Sequence, residues 1–289
     1  MWFWLSLFFA LGTSVSGIVT KKAIKNISPL SFFLLVNLLV VPIVAVIVLF
    51  LGGVPQIEPT FYLFMTISAV LDIAAFLAVL KSIKTSPISL VTPFSAFNPV
   101  FTMGIAAFAL GEIPTPIRGL GVLVIVLGLY LLDISEVKKG IFAPFKNILS
   151  HRGVQLYLLA NLIWAITPIF QKKSMSLINP SMPLFVAFFG DLIITLLIIP
   201  FALPILRREN RVVRDEFGWF LIIAFFAVLG RWLSFTAFSL TNVGYATAVF
   251  KISPIFTILL GAIIFKETNI KERLVGASIM ILGTILLVV

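Results

Sequence analysis

The sequence predicts an all-α membrane protein with ten transmembrane helices in two inverted five-helix repeats. Composition, the segment lengths and an internal repeat support this fold class. Of the 289 residues, 61% are hydrophobic and only 11% are charged. The mean hydropathy is +1.18, whereas a soluble domain carries about 25% charged residues. So few charges cannot cover a surface that faces water.

Ten apolar segments, numbered 1 to 10, follow one another along the chain. A helix needs roughly 17–25 apolar residues to cross a bilayer, and the strands of a transmembrane barrel are shorter and alternate polar with apolar residues. Segment 1 has no basic leader, and Lys21, Lys22 and Lys25 follow it, so it is predicted to be a retained helix. The segments are predicted near 2–20, 30–51, 60–80, 86–109, 116–133, 154–171, 182–206, 217–238, 243–265 and 272–289.

The second half of the chain repeats the first. Residues 97–128 match 252–283 at a constant offset of 155, and a second match at offset 151 relates Lys21-Lys22 to Lys172-Lys173. We therefore predict repeats over 1–133 and 154–289, joined by a basic linker, 134–153. Five helices per repeat is an odd number, so the second repeat enters the membrane from the opposite side. The identical positions at offset 155 are Pro99/Pro254, Phe101/Phe256, Thr102/Thr257, Ala107/Ala262, Glu112/Glu267, Arg118/Arg273, Gly121/Gly276, Leu127/Leu282 and Gly128/Gly283.

Lysine and arginine are distributed unevenly between the two sides of the predicted bundle. The turns after odd-numbered segments hold sixteen of them, and the other side holds three, Arg118, Lys172 and Lys173. Cytoplasmic turns are rich in these residues, which places both termini outside the cytoplasm in a multi-pass protein of the cell (inner) membrane. The net charge of +10 is explained by these turns, so nucleic acid is not a predicted partner.

Several short motifs, repeated in order, resemble the EamA branch of the drug/metabolite transporter superfamily. The resemblance covers almost the whole chain. It implies two inverted five-helix repeats around a central cavity, alternating access, and transport of small metabolites, often as export. Family members usually keep both termini in the cytoplasm, whereas the charges here argue for the reverse. The motifs are Ser-Pro-Ile-Ser-Leu-Val (86–91), Pro99, Leu110-Gly111-Glu112, Gly121 and Gly128, then Ala246, Pro254, Phe265-Lys266-Glu267, Gly276 and Gly283, with Trp164, Lys172-Lys173 and Pro180 similar to a first-helix signature.

Four ionisable residues lie inside predicted segments: Asp72, Asp191, Arg231 and Lys251. Each costs roughly 2.5–3.5 kcal/mol at the bilayer centre, so each is expected to face a cavity or an opposite charge. Asp191, Arg231 and Lys251 are predicted at one depth in the second repeat, with Asp72 near the midplane in the first. In one interpretation Lys251 or Arg231 binds an anionic group, and Asp191 or Asp72 exchanges a proton or binds an amine. In the other, Asp191 pairs with Arg231 or Lys251 and only orients the helices.

The three charges at one depth suggest the charge of the substrate. Two cations and one anion leave a positive charge without a protein partner, so we expect the substrate to carry a carboxylate or a phosphate.

Polar and proline positions complete the candidate site. Ser95 and Asn98 in segment 4, and Asn161, Trp164 and Thr167 in segment 6, are cavity candidates; close helix packing is the alternative. Pro99 and Pro254 each free a backbone carbonyl and are predicted hinges. Glu112 is expected to cap the next helix and pair with Arg118. The 29 phenylalanines are assigned to lipid contact or packing.

The sequence thus predicts a secondary transporter, not an enzyme, that moves a small polar metabolite such as an amino-acid-like compound, an organic anion or a zwitterion. A proton or an exchanged metabolite is the expected coupling partner. No cofactor and no metal site are predicted, and with no cysteine disulfides are excluded. A passive channel remains an alternative, as does a lipid-modifying membrane enzyme, which requires a carboxylate, histidine or metal cluster at the lipid headgroups.

Overall fold

A computed structural model describes residues 1–23, 27–85, 98–131, 152–253, 255–256, 260 and 270–288, and the account below concerns these. They are almost entirely helical, which confirms the all-α class. A two-residue antiparallel strand pair, β1 (Gln56–Ile57) with β2 (Ile178–Asn179), is an addition that was not predicted. The helices are α1 Trp2–Ala23, α2 Pro29–Phe50, α3 Pro59–Thr85, α4 Asn98–Ala109, α5 Pro116–Leu131, α6 Arg152–Met175, α7 Pro183–Arg208, α8 Asn210–Asp215, α9 Phe217–Leu240, α10 Val243–Phe250 and α11 Ile270–Val288.

Six of these helices, α1, α2, α3, α6, α7 and α9, are long and apolar enough to cross a membrane. α4, α5 and α11 include shorter apolar helical stretches. Large apolar side chains point away from the bundle, as Phe50 and Phe108 do with 86% and 94% exposure. A surface of this kind is suited to lipid, so the chain is a multi-pass membrane protein.

Most predicted segment boundaries agree with the helices to within a few residues. Arg152 and Gly153, which were assigned to the linker, begin α6. The rest of the linker, residues 134–151, and the first part of segment 4, residues 86–97, lie outside the described residues.

One end of the bundle gathers the turns that follow α2, α4, α6 and α9. Besides the β1–β2 pair, Glu58 N donates to Leu177 O at 3.0 Å. Asn242 Nδ2 donates to Glu112 O at 2.8 Å. We call this the strand end. Because the turns after even-numbered predicted segments meet there, the described helices alternate in direction as the sequence predicts.

The opposite end joins other parts of the chain. Ser28 N donates to Glu209 Oε1 at 3.0 Å, which connects the start of α2 to the end of α7. Ser82 Oγ donates to Gly153 O at 2.7 Å, which connects the end of α3 to the start of α6.

The most extensive helix contacts each join a helix before the linker to one after it. They are α3 with α6, α5 with α11, α1 with α9 and α2 with α7. α4 packs on α6 and α10. The buried apolar core of the described residues therefore lies between the two halves.

Glycines allow α5 and α11 to approach closely. A Cβ on Gly121 would lie 2.9 Å from Gly283 O, and one on Gly128 would lie 2.7 Å from Gly276 O. Residue numbers rise along α5 as they fall along α11 at these contacts, so the two helices run in opposite directions. These four glycines are the two pairs matched at offset 155.

Segment 9 was predicted as one helix over 243–265, and this prediction is wrong. α10 ends at Phe250, and Lys251 and Ile252 form a turn. At and after this turn, backbone hydrogen bonds connect residues three apart instead of four. Ile252 N donates to Val249 O at 3.0 Å, and Ile255 N donates to Ile252 O at 2.9 Å. The sequence accounts for this break, because a proline at 254 has no N–H to donate to the carbonyl four residues earlier, at Phe250.

Candidate functional site

A cavity of about 450 Å³ lies between the two halves of the bundle. Residues of α1, α2, α3 and α4 line it from the first half, and residues of α6, α7, α9 and α10 line it from the second. This size falls within the range of small-molecule sites. The predicted site residues in its lining are Asp72, Asn98, Trp164, Asp191, Arg231 and Lys251.

Asp191 and Arg231 form an ion pair at the cavity wall. Arg231 Nε donates to both carboxylate oxygens, at 2.8 and 3.1 Å. The Asp191 side chain is only 5% exposed, whereas that of Arg231 is 38% exposed. Burying a charged group away from water is costly unless the group is paired and hydrogen-bonded. The two interpretations of these residues are therefore not exclusive, because the pair joins α7 to α9 and also lines the cavity.

Asp72 reaches the same cavity from α3. Gln171 Nε2 makes long hydrogen bonds to Asp72 Oδ2, at 3.4 Å, and to Ser68 Oγ, at 3.3 Å. The charge of Arg231 acts on Asp72 as well as on Asp191. Arg231 thus interacts electrostatically with two carboxylates, one from each half. With Asp72 included, the cavity's described lining holds two cations and two carboxylates, and the excess of cations at one depth stays a prediction.

Lys251 stands apart from this cluster. It follows the last residue of α10 and lines the cavity. Among the described residues, none forms an ion pair or a hydrogen bond with its ammonium group. The carboxyl end of α10 carries a partial negative charge, which favours a cation there but does not replace a counter-ion. The count of charges left open which cation has no partner, and the positions of the described residues identify Lys251.

Two predicted polar residues are buried outside the cavity lining. Asn161 O accepts a hydrogen bond from Asn98 Nδ2 at 2.8 Å, and Asn161 Nδ2 donates to Tyr157 O at 2.9 Å. Asn161 therefore fixes the start of α4 against α6. Thr167 is buried beside Asp72, which makes it a neighbour of the cavity charge.

The remaining candidates concern segments 4 and 9. Pro99 is buried near the start of α4, and its role as a hinge stays a prediction. Ser95 and Pro254 lie outside the described residues.

Aromatic side chains form much of the wall, and sequence reasoning missed them. Phe33 and Phe76 stack with ring centroids 4.3 Å apart, and Phe9 and Phe250 lie 4.2 Å apart. Spacing offers a signal for some of them, since residues four apart share a helix face: Phe76 lies four after Asp72 and Phe235 four after Arg231. The assignment to lipid contact or packing is too narrow for Phe9, Phe33, Phe76, Phe235, Phe238 and Phe250, all of which line the cavity.

The class of protein follows from the similarity of this sequence to a known family. The sequence profile of the EamA-like transporter family matches residues 1–133 and 151–289. The chain belongs to the EamA-like transporter family. The matched ranges are close to the two predicted repeats, and the resemblance inferred from the motifs is confirmed.

Relatives of this EamA-like chain are similar over about half of its length. An uncharacterized transporter of Helicobacter pylori is 31% identical over 139 residues, 47% of this chain and 44% of that protein. The match thus spans less than half of that relative. An uncharacterized protein of Methanocaldococcus jannaschii is 26% identical over 132 residues, 46% of this chain and 93% of that protein.

A solved structure shares the fold of this EamA-like protein. It has a TM-score of 0.75 at 14% identity, with 98% of this chain and 95% of that chain covered. Family membership and a relative named as a transporter point to a membrane transporter rather than an enzyme.

Glu112 has different partners from those predicted. It was expected to cap the next helix, α5, and to pair with Arg118. Instead, Glu112 Oε2 accepts from Val243 N at 2.8 Å, at the start of α10, and the other oxygen pairs with Lys172. Arg118 lies over the ring of Tyr245, 5.7 Å from its centroid. The expectation failed because it considered only neighbours in sequence, whereas the turn after α4 contacts the second half of the protein.

Proposed function

We propose that this protein is a secondary-active transporter of a small polar metabolite that carries a carboxylate or phosphate, such as an amino-acid-like compound or another organic anion or zwitterion. The observation that supports this most directly is the cavity between the halves, with the Lys251 cation in its wall and no counter-ion for it in the described residues. Transport would proceed by alternating access about this cavity, in the direction of export.

The arrangement of helices supports two inverted repeats, 1–133 and 154–289. A two-fold axis that exchanges the repeats converts a contact between α3 and α6 into a contact between α9 and α1. Both of these contacts are extensive. The same axis exchanges α2 with α7, α4 with α10 and α5 with α11, and the two helices of each of these pairs are in contact. The opposite directions of α5 and α11 at their glycine contacts fit an inverted relation rather than a parallel one.

The positions of the charges support a division of roles within the cavity. Arg231 is held by Asp191 and is influenced by Asp72, so its charge is already balanced. Lys251 is the described cation available to an anionic group of the substrate. Asp72, which accepts a long hydrogen bond from Gln171 and lies beside Thr167, would exchange a proton with solvent or contact an amine of the substrate.

Orientation in the membrane follows from the lysine and arginine bias. We propose that the strand end faces away from the cytoplasm and that the basic linker, 134–153, is cytoplasmic. This places both termini outside the cytoplasm of a cell (inner) membrane.

A substrate screen followed by counterflow tests the proposal. The purified protein is tested for thermal stabilisation by classes of metabolites, because a ligand that binds only the folded state raises the melting temperature. A stabilising compound is then loaded into proteoliposomes. Saturable counterflow of an anionic or zwitterionic compound supports a carrier. Unsaturable flux indicates a channel, and neither result occurs for a protein without transport activity.

Lys251→Ala tests the role of the isolated cation. A charge-assisted hydrogen bond contributes roughly 1.5–3 kcal/mol, so we expect the affinity for the identified anion to fall about 10- to 100-fold. Lys173→Ala is the matched control, because Lys173 is exposed and its ammonium lies over the ring of Phe64, away from the cavity lining. Equal affinities in the two variants would remove Lys251 from the substrate site.

A further inference from the structure

A set of polar contacts joins the two halves at the strand end, beside the cavity. The Glu112 carboxylate pairs with Lys172 and accepts from Val243 N at 2.8 Å. Lys172 Nζ also donates to Thr241 O. We call these four residues the latch. They belong to the turn after α4, the end of α6, the turn after α9 and the first residue of α10, so the latch is a contact between the first half and the second.

The latch continues directly from the cavity wall. Lys172 follows Gln171, which lines the cavity. Val243 begins α10, and Thr247, one turn later, lines the cavity as well, as does Lys251 at the end of this helix. The latch therefore lies beside the cavity at the strand end, and its four residues are outside the cavity's described lining.

The side chains of the latch are suited to a contact that forms and breaks. Lys172 and Glu112 are 23% and 14% exposed, so water reaches both when they separate. A fully buried pair would leave an uncompensated charge on opening, at a cost of several kcal/mol. Partial exposure reduces this cost, which favours a contact that can open.

α10 connects the latch to Lys251. This helix has only eight residues. Its N-terminus is held by Glu112 and by Asn242, whose Oδ1 accepts from Gly244 N at 2.8 Å. Its other end is the turn at Lys251, where the regular hydrogen bonds stop. A shift at the start of so short a helix therefore also displaces its end, where Lys251 lies.

We infer that Glu112 is a gating and positioning residue: its contact with Lys172 closes the cavity at the strand end, opens once in each transport cycle, and while closed holds α10 so that Lys251 faces the cavity. This inference rests on the proposed function, because a gate has meaning only in a protein with alternating access.

A related contact at the opposite end supports this inference. There a carboxylate of the second half, Glu209, accepts from Ser28 N at 3.0 Å and from Ser28 Oγ at 3.2 Å, at the N-cap of α2 in the first half. At each end, therefore, an acidic residue of one half holds a helix start of the other. Alternating access requires contacts at both ends that open in turn.

Labelling of a single cysteine in the cavity tests the latch without a known substrate. The chain has no cysteine, so Thr247→Cys is the only thiol. A membrane-impermeant maleimide is applied to one face at a time, in right-side-out and in inverted vesicles. Added Lys172→Gln or Glu112→Gln is expected to raise the labelling rate from the strand-end face about tenfold, equivalent to 1.4 kcal/mol. The rate from the other face is expected to fall, because the population shifts toward the state open at the strand end.

Three results separate the explanations. Lys173→Gln, one residue away and outside the latch, and Lys172→Arg, which retains the charge, are expected to label like Thr247→Cys alone. An equal rise from both faces indicates general loosening and overturns the latch, as does a Lys172→Gln rate equal to that of Lys173→Gln. If Thr247→Cys alone reacts from one face under every condition, alternating access itself fails. If it reacts from both faces and the latch variants leave the ratio unchanged, only the latch is wrong.

Discussion

Gly128→Ala tests the close crossing of α5 and α11. An added Cβ would lie 2.6 Å from Met280 Cγ, 2.6 Å from Met280 N and 2.7 Å from Gly276 O. The methionine side chain can turn away, but the two backbone atoms cannot. Since favourable contacts to carbon lie near 3.5–4.0 Å, the helices must separate by about 1 Å. Such overpacking costs about 1–3 kcal/mol.

Thermal unfolding in detergent measures this effect. A loss of about 2 kcal/mol corresponds to a fall in melting temperature of roughly 5 °C for a chain of this size. Gly119→Ala is the matched control on the same helix, because no atom lies within 4 Å of its added Cβ and alanine favours a helix. It is expected to melt at the original temperature or slightly above. If Gly128→Ala melts no lower than Gly119→Ala, the close approach of these helices is incorrect.

Two further predictions concern the cavity and the orientation. Arg231→Ala leaves the Asp191 carboxylate, only 5% exposed, without its partner, and we expect it to lower the free energy of unfolding by about 3 kcal/mol. Adding Asp191→Asn is expected to restore part of this stability. Additive effects in the double-mutant cycle would show that the two side chains do not interact. A reporter fused after Val289 is expected to give an extracytoplasmic signal, and a cytoplasmic signal would reverse the proposed orientation.

The sequence alone was sufficient for much of the fold. Charge scarcity and segment length identify a membrane protein because lipid admits few charges and requires a fixed helix length. The direction of successive helices follows from counting crossings, and the contacts of the described turns agree with it. The glycines matched at offset 155 lie where α5 and α11 approach each other, although the match by itself did not predict this contact.

The candidate site could be predicted in part. Asp72, Asp191, Arg231 and Lys251 were found because an ionisable residue within an apolar segment is conspicuous, and all four line one cavity. The position of a residue along a helix gives its depth in the membrane but not its lateral position. The sequence therefore did not show that Asp72 and Asp191 both interact with Arg231. The phenylalanines of the wall were missed because lipid, packing and cavity surfaces all accept the same side chain.

Some features depended on contacts between residues distant in sequence. Glu112 was predicted to cap its own following helix, and only the tertiary structure brought it to α10 and Lys172. Sequence patterns determine which residues a helix can expose and how long it is, because these are local properties. Which helices meet, and which charge neutralises which, is decided by how the two halves pack together, because electrostatic and hydrogen-bonding partners are selected by distance in space.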